Sequence, residues 1–200
     1  MIEIAVPAPD DLLLNSLRLR APGQVNRSGW TGTRKVVGLP GVELWLGAAS
    51  LADIATEEEE RPWRAFLFGL SGQANWFKWP LPCNQHPGGK PRVAAGAGSG
   101  YTLPLKQMQP NTTILQAGQF MTIPLPSLHN RAVCLTADLV ADGNGNGTAQ
   151  FGPALGEIPA ESAIVESLTP FVPMSLTTSE EGFDLSNGVS GTAFDVEEAR

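Results

Sequence analysis

Apolar residues along this chain alternate with polar ones more often than they cluster, the pattern of strands with one buried face. Leu17-Arg18-Leu19-Arg20 alternates apolar and charged positions, and Val42-Glu43-Leu44-Trp45-Leu46 sets Val42, Leu44 and Leu46 on one face with Trp45 on the other. Between them Gly29, Gly32, Gly38, Pro40 and Gly41 punctuate the chain into turns. Residues 75–82 predict an extended strand that stops at its prolines, and residues 84–100 predict long surface loops around a short strand, Arg92-Val93-Ala94. In the last third, strands are expected at 112–115, 120–123, 132–140, 148–151, 163–166, 173–176 and 192–196. Within 132–140, Val133, Leu135, Ala137 and Leu139 share a face, and the glycine-rich turn at 142–147 pairs that strand with 148–151 as a hairpin.

A 3.6-residue period appears in one place. Ser50 is placed to cap a first turn containing Asp53, with Leu51, Ile54 and Ala55 following at helical spacing. Pro62 then marks either a kink or the start of a second short helix. Trp63, Phe66, Leu67 and Leu70 recur at i, i+3, i+4 and i+7, a core-facing stripe, and Gly69 and Gly72 end it. The pattern as a whole predicts a mainly β chain, a β-sandwich or β-barrel with one short helical region at about residues 50–70. It divides into two β subdomains, 1–105 with the helix and the long Gly/Pro loops, and a barrel-like 106–200.

Composition narrows the class of function. Only 16% of the residues are charged, against about 25% in ordinary domains, so Gly, Ser, Thr, Asn and Gln must cover much of the surface. Such a surface suits packing against other protein. The net charge of −7, the run Glu57-Glu58-Glu59-Glu60 and the lack of any basic cluster argue against nucleic-acid binding. Cys83 and Cys134 are too few for a disulfide framework; one bridge between them stays open beside two partly buried free thiols in a reducing compartment. The first seven residues lack the basic and apolar regions of a signal peptide, and no apolar run is long enough to span a membrane. A chain made and kept in a cytoplasm-like setting is expected.

Each candidate for chemistry has a plainer structural reading. Asp142-Gly143-Asn144-Gly145-Asn146-Gly147 opens like a calcium loop, but Pro153 stands where the closing bidentate Glu belongs, and a β-turn explains every Gly and Asn in it. Cys83 and His86 have the spacing of half a zinc site to which His129 and Cys134 could add two ligands, yet the second half lacks the usual tight pairing. Gly96-x-Gly98-x-Gly100 leads to no helix that would hold a phosphate, so a loop is expected. The pairs Glu180-Glu181 and Glu197-Glu198 lie in polar stretches and should be solvated. With two histidines, one tyrosine and no nucleophile signature, no catalytic, cofactor-binding or metal-ligating residue is expected, and the chain reads as structural.

Two stretches resemble structural tail proteins of tailed bacteriophages. Residues 60–77 place a helix and a Leu70-Ser71-Gly72 turn before a strand with aromatic residues. Leu115-Gln116-Ala117-Gly118-Gln119-Phe120, residues 132–143, and Phe151-Gly152-Pro153-Ala154-Leu155 look like a second part of the same pattern, which together spans about residues 50–200. The likeness is to the distal-tail-protein-like group, whose members form rings joining the tail tube to the baseplate or tip. It implies a virion location, a homo-oligomer, a hexamer lining a channel, and other tail proteins of the tube and hub or tip as partners, with no cofactor. Acidic channel walls would repel passing DNA. The rival expectation is a receptor- or carbohydrate-binding β-domain at the tail tip, with Trp76, Trp79 and Tyr101 stacking on sugars.

Overall fold

Trp45, Gly47, Ala49 and Leu51 fall on alternate positions of one strand and all are buried. A computed structural model describes residues 1–38, 42–52, 54, 56–178 and 192–199. Its strands in the first half are β1 (Leu12–Arg20), β2 (Gly23–Arg27), β3 (Arg34–Gly38), β4 (Leu44–Leu51), β5 (Phe77–Pro80), β6 (Arg92–Val93) and β7 (Thr102–Lys106). Those in the second half are β8 (Thr113–Leu115), β9 (Phe120–Pro124), β10 (Asn130–Leu135), β11 (Leu139–Val140), β12 (Gly147–Gly152), β13 (Phe171–Leu176) and β14 (Ala193–Glu198). Among the described residues one α-helix, α1 (Glu57–Leu70), completes a mainly β fold, as the sequence pattern predicts.

The chain forms two units from interleaved segments. Met1–Arg18, Trp45–Trp79 and Val172–Arg200 build one, and Leu19–Leu44 with Pro80–Phe171 build the other. The division therefore does not fall at 105/106, because the last strands return to pair with the early ones.

In the first unit the strand order is β1-β4-β14-β13-β5. β14 pairs antiparallel with β4 from Ala193↔Ser50 to Glu197↔Leu46, and with β13 from Met174↔Glu198 to Leu176↔Val196. The Trp45 face of β4 is the inner one, while Leu44 and Leu46 are only half-buried. A Cβ on Gly47 would lie 2.9 Å from the Trp79 indole, so glycine is what lets Trp79 lie flush against the strand. Glu198 corrects the expected solvated pair: it is buried, and its Oε2 accepts the Trp45 backbone N–H at 3.2 Å. The cause is strand periodicity, since Val196 and Glu198 share the inward face of β14. Glu180 and Glu181 lie outside the described residues.

Helix α1 starts later than expected. Ser50 belongs to β4, and the cap is Thr56, whose Oγ1 accepts the Glu59 N–H at 3.3 Å ahead of four glutamates in the first turn. Asp53 and Ala55 lie outside the described residues. Pro62 sits inside one continuous helix rather than starting a second. It forfeits one backbone bond, offset by the cap and by the Arg61–Glu57 and Arg64–Glu60 pairs one turn apart, at 3.4 and 3.2 Å. Trp63, Phe66, Leu67 and Leu70 are buried as the stripe predicts, and Phe66 meets Trp63 and Phe77 edge-to-face, each with ring centroids 5.5 Å apart. The helix ends at Ser71 in the left-handed region (φ 48°), followed by Gly72 (φ 64°).

The second unit is a curled sheet of order β6-β7-β12-β10-β9. Its two edges are joined by one segment: Val93 N–H donates to Ala163 O at 3.0 Å, Val165 N–H to Pro91 O at 2.9 Å, and Thr122 and Glu166 exchange two bonds at 2.8 Å. Residues 163–166 are thus a bridge between β6 and β9 rather than a strand of their own, and the join makes the sheet barrel-like with no bare edge there. Burial alone would raise the Glu166 carboxyl, but its ion pair with Lys90 and the N–H groups of Leu168 and Thr169 outweigh that and hold it below the usual range. Leu103, Leu105, Met121, Ile123, Val133 and Phe151 fill the interior.

The expected strand 132–140 breaks in two. β10 pairs with β9 and β12, whereas β11 pairs with β8, and the break comes where Asp138 Oδ1 turns aside to accept the Ala117 N–H at 2.8 Å. The turn at 142–147 joins β11 to β12, while the expected pairing with 148–151 is made by β10, Leu135 lying opposite Phe151 and Thr136 N–H donating to Gln150 O at 2.9 Å. β7 carries Pro104 at its centre, where the carbonyl accepts from Ala94 N–H just past the end of the two-residue β6. A proline nitrogen directed to the end of so short a neighbour forfeits little. Finally, among the described residues β2 and β3 pair only with each other, from Gly23↔Gly38 to Arg27↔Arg34.

Candidate functional site

The sequence motifs with chemical potential are used up in turns. Asp142 Oδ1 accepts the N–H groups of Asn144 and Asn146 at 2.8 and 2.9 Å, and Gly145 N–H donates to Asp142 O, so the carboxylate shapes a turn. Gly145 has φ 76°, and a Cβ there would stand 2.5 Å from Met108 O. Gly145→Ala should therefore cost at least about 2 kcal/mol in urea unfolding, from the left-handed backbone and the collision with a carbonyl. Gly98→Ala, with open space around it, should stay within about 1 kcal/mol of the parent. Among the described residues no three of His, Cys, Asp and Glu gather closely enough to hold a metal ion.

The four residues weighed as a zinc set have separate surroundings. Cys83 is an exposed free thiol, and Cys134, also free, is half-buried near the Gly118 carbonyl, where burial pushes its pKa up. An upward shift opposes the thiolate that ligation or attack requires. His129 Nδ1 is hydrogen-bonded to Ser127 Oγ in a turn closed by Leu125 N–H to His129 O at 2.9 Å. His86 Nε2 lies 2.8 Å from Ser167 Oγ, a Ser–His contact that sequence reading misses because the partners are far apart in the chain. Ser167 is fully buried, and the neighbouring Asn84 amide donates to the Ser167 and Phe120 carbonyls at 2.8 Å. These contacts join the 84–86 loop to the barrel. The loop at 96–100 is likewise pinned, Gly100 O accepting the Leu155 N–H at 3.1 Å and Ser99 O the Gly156 N–H at 2.9 Å.

Of the aromatics proposed to stack on sugars, Trp79 is buried and Trp76 half-buried. Tyr101 is exposed, with its hydroxyl donating to Glu43 Oε1 at 3.0 Å. The three do not supply a set of exposed rings.

What remains is the β2–β3 hairpin. Every described side chain from residue 23 to residue 37 is exposed, and Trp30 at its tip is 98% exposed. Its turn is closed by its own bonds, Ser28 N–H to Thr33 O and Gly32 N–H to Ser28 O, both 3.0 Å. The absence of a basic cluster, expected from the sequence, needs correction here. Arg18, Arg20, Arg27, Arg34 and Lys35 are five of the chain's 13 Lys and Arg, and all 20 Asp and Glu lie outside residues 12–42. Pairing sets Arg27 directly opposite Arg34, and Asn26 opposite Lys35. Among the described residues none of these five cations is in an ion pair. The other described cations have partners in their own chain: Lys78 on Glu3 and Lys106 on Glu161, both at 2.8 Å, and Arg92 on Ser162 O are typical. Arg131 goes furthest, fully buried with Nη2 donating to Glu43 O at 2.9 Å and Nε to Ala154 O at 3.1 Å. The geometry thus presents a basic, aromatic-tipped ribbon. No protein-family model matches the chain, and no curated protein matches it significantly.

Proposed function

We propose that this chain is a non-catalytic structural component of a phage tail, a subunit of a homo-oligomeric ring joining the tail tube to the baseplate or tip. The observation that carries the reading is how the segments resembling tail proteins fold. The helix stripe ends in the left-handed Ser71-Gly72 turn and leads to β5, tied back to it by the Phe66–Phe77 contact. The second set of segments supplies β9, β10 and β12 of the barrel, with Gly118 (φ 89°) in the turn before β9. The first half of the sequence pattern is therefore one structural piece, and the second runs through the barrel sheet and the neighbouring β8–β11 pair. A hairpin exposed on both faces adds support, because a two-stranded ribbon alone in water is marginally stable and gains most from a partner.

Electron microscopy of phage particles carrying a label on this chain, with mass photometry of the purified protein, tests the proposal. The expected result is a closed ring of about six copies at the end of the tail tube, the closure that cyclic symmetry provides. A protein that stays monomeric at high concentration and is missing from particles would overturn it.

A further inference from the structure

The β2–β3 hairpin concentrates what the rest of the chain lacks. It is exposed on both faces, it carries apolar Val25, Trp30 and Val37 at the surface, and among the described residues its cations are in no ion pair. Desolvated arginine and tryptophan are the residue types that most often dominate a protein interface. Elsewhere the balance runs the other way. On α1, Glu57 and Glu60 are engaged by Arg61 and Arg64, whereas Glu58 and Glu59 are exposed and in no ion pair among the described residues. One chain therefore displays both halves of a complementary pair.

We infer, resting on the reading that the chain assembles with copies of itself, that this hairpin is a docking arm. It lies on the acidic surface of a neighbouring copy, with Trp30 as its apolar anchor and Arg27, Arg34 and Lys35 paired with carboxylates that include Glu58 and Glu59 of α1. Charge complementarity selects a second copy over nucleic acid. A net charge of −7 disfavours a phosphate backbone, which also offers nothing to Val25 and Val37. Arm and acceptor are different surfaces, so the contact is head-to-tail. Such contacts close into rings when the rotation per step allows and otherwise extend as filaments.

The test uses the full chain. Wild type, R27E/R34E/K35E and Trp30→Ala are compared by sedimentation velocity over a range of concentrations at low and high salt. Both variants should raise the concentration for half-assembly at least about tenfold, and salt should weaken wild-type assembly in the same direction. Circular dichroism melts should match the wild-type monomer, because the replaced side chains are exposed within their own chain. E58K/E59K should fail to assemble alone but should assemble when mixed with R27E/R34E/K35E, since the mixture restores opposite charges across one class of contact. A wild type that assembles while the arm variants assemble equally well overturns the arm and leaves the ring reading standing. A monomeric wild type overturns both. No recovery in the mixture overturns the pairing with α1. Should wild type retain a DNA duplex that R27E/R34E/K35E releases while still assembling, the arm's partner is nucleic acid and the inference falls.

Discussion

Phe66→Ala should lower the unfolding free energy by about 3–5 kcal/mol. The side chain is buried in the middle of the helical stripe and makes two edge-to-face contacts, to Trp63 within α1 and to Phe77 on β5. Truncation removes the buried ring and opens a cavity between rings that cannot follow it inward. Equilibrium urea unfolding followed by tryptophan fluorescence reads the loss, and Trp63, touching the ring, should report the transition. Phe68→Ala is the internal control: it lies on the same helix but 62% exposed, and should change stability by no more than about 1 kcal/mol. Equal effects from the two would mean that the helix does not bury the face described.

A loss of similar size is expected at Arg131, for a different reason. Its guanidinium is fully buried on β10 and donates to the backbone carbonyls of Glu43 and Ala154. Arg131→Ala should cost about 3–5 kcal/mol, because it leaves buried acceptors unpaired as well as a void. Arg131→Met refills most of the volume without a donor and should still cost about 2 kcal/mol, the share owed to the stranded carbonyls. Buried charges replaced by apolar groups are sometimes neutral. A neutral Arg131→Met in thermal and urea melts would show that the two carbonyls find other partners, and that Arg131 contributes packing alone.

How far the sequence discloses the fold depends on whether a signal is local. The stripe Trp63, Phe66, Leu67, Leu70 is legible because a helix satisfies its own backbone and needs only a 3.6-residue period. Ser50 misleads because Gly47-Ala48-Ala49-Ser50 has little intrinsic strand preference, and it is pairing with β14, more than 140 residues away, that holds it extended. The pairing of β10 with β12 is legible through the glycine-rich turn, but the same distance effect hides the pairing of β11 with β8. Nothing between Thr136 and Asp138 announces that the chain will change neighbours. β7 escapes notice because Pro104 argues against a strand unless the brevity of β6 is known. The hairpin of β2 and β3 is illegible for the opposite reason: with both faces in water, selection for burial imposes no alternation on it. Its charge, by contrast, was present in the sequence all along, obscured by a net charge that averages five clustered cations against 20 acids elsewhere. Ser167 and His86 meet only through the fold, and no spacing rule joins residues 81 positions apart.

The interleaving of the two units sets an order on biosynthesis. The barrel-like unit ends at Phe171, so its strands and the bridging segment at 163–166 have all been made before β14 exists. The other unit needs β14 between β4 and β13, and β14 begins at Ala193. Residues 1–18 and 45–79 must therefore wait on the ribosome without their central strand while the barrel is free to close. Trp45, Trp63 and Trp79, which end up buried in that late unit, are the surfaces most in need of a chaperone during the interval.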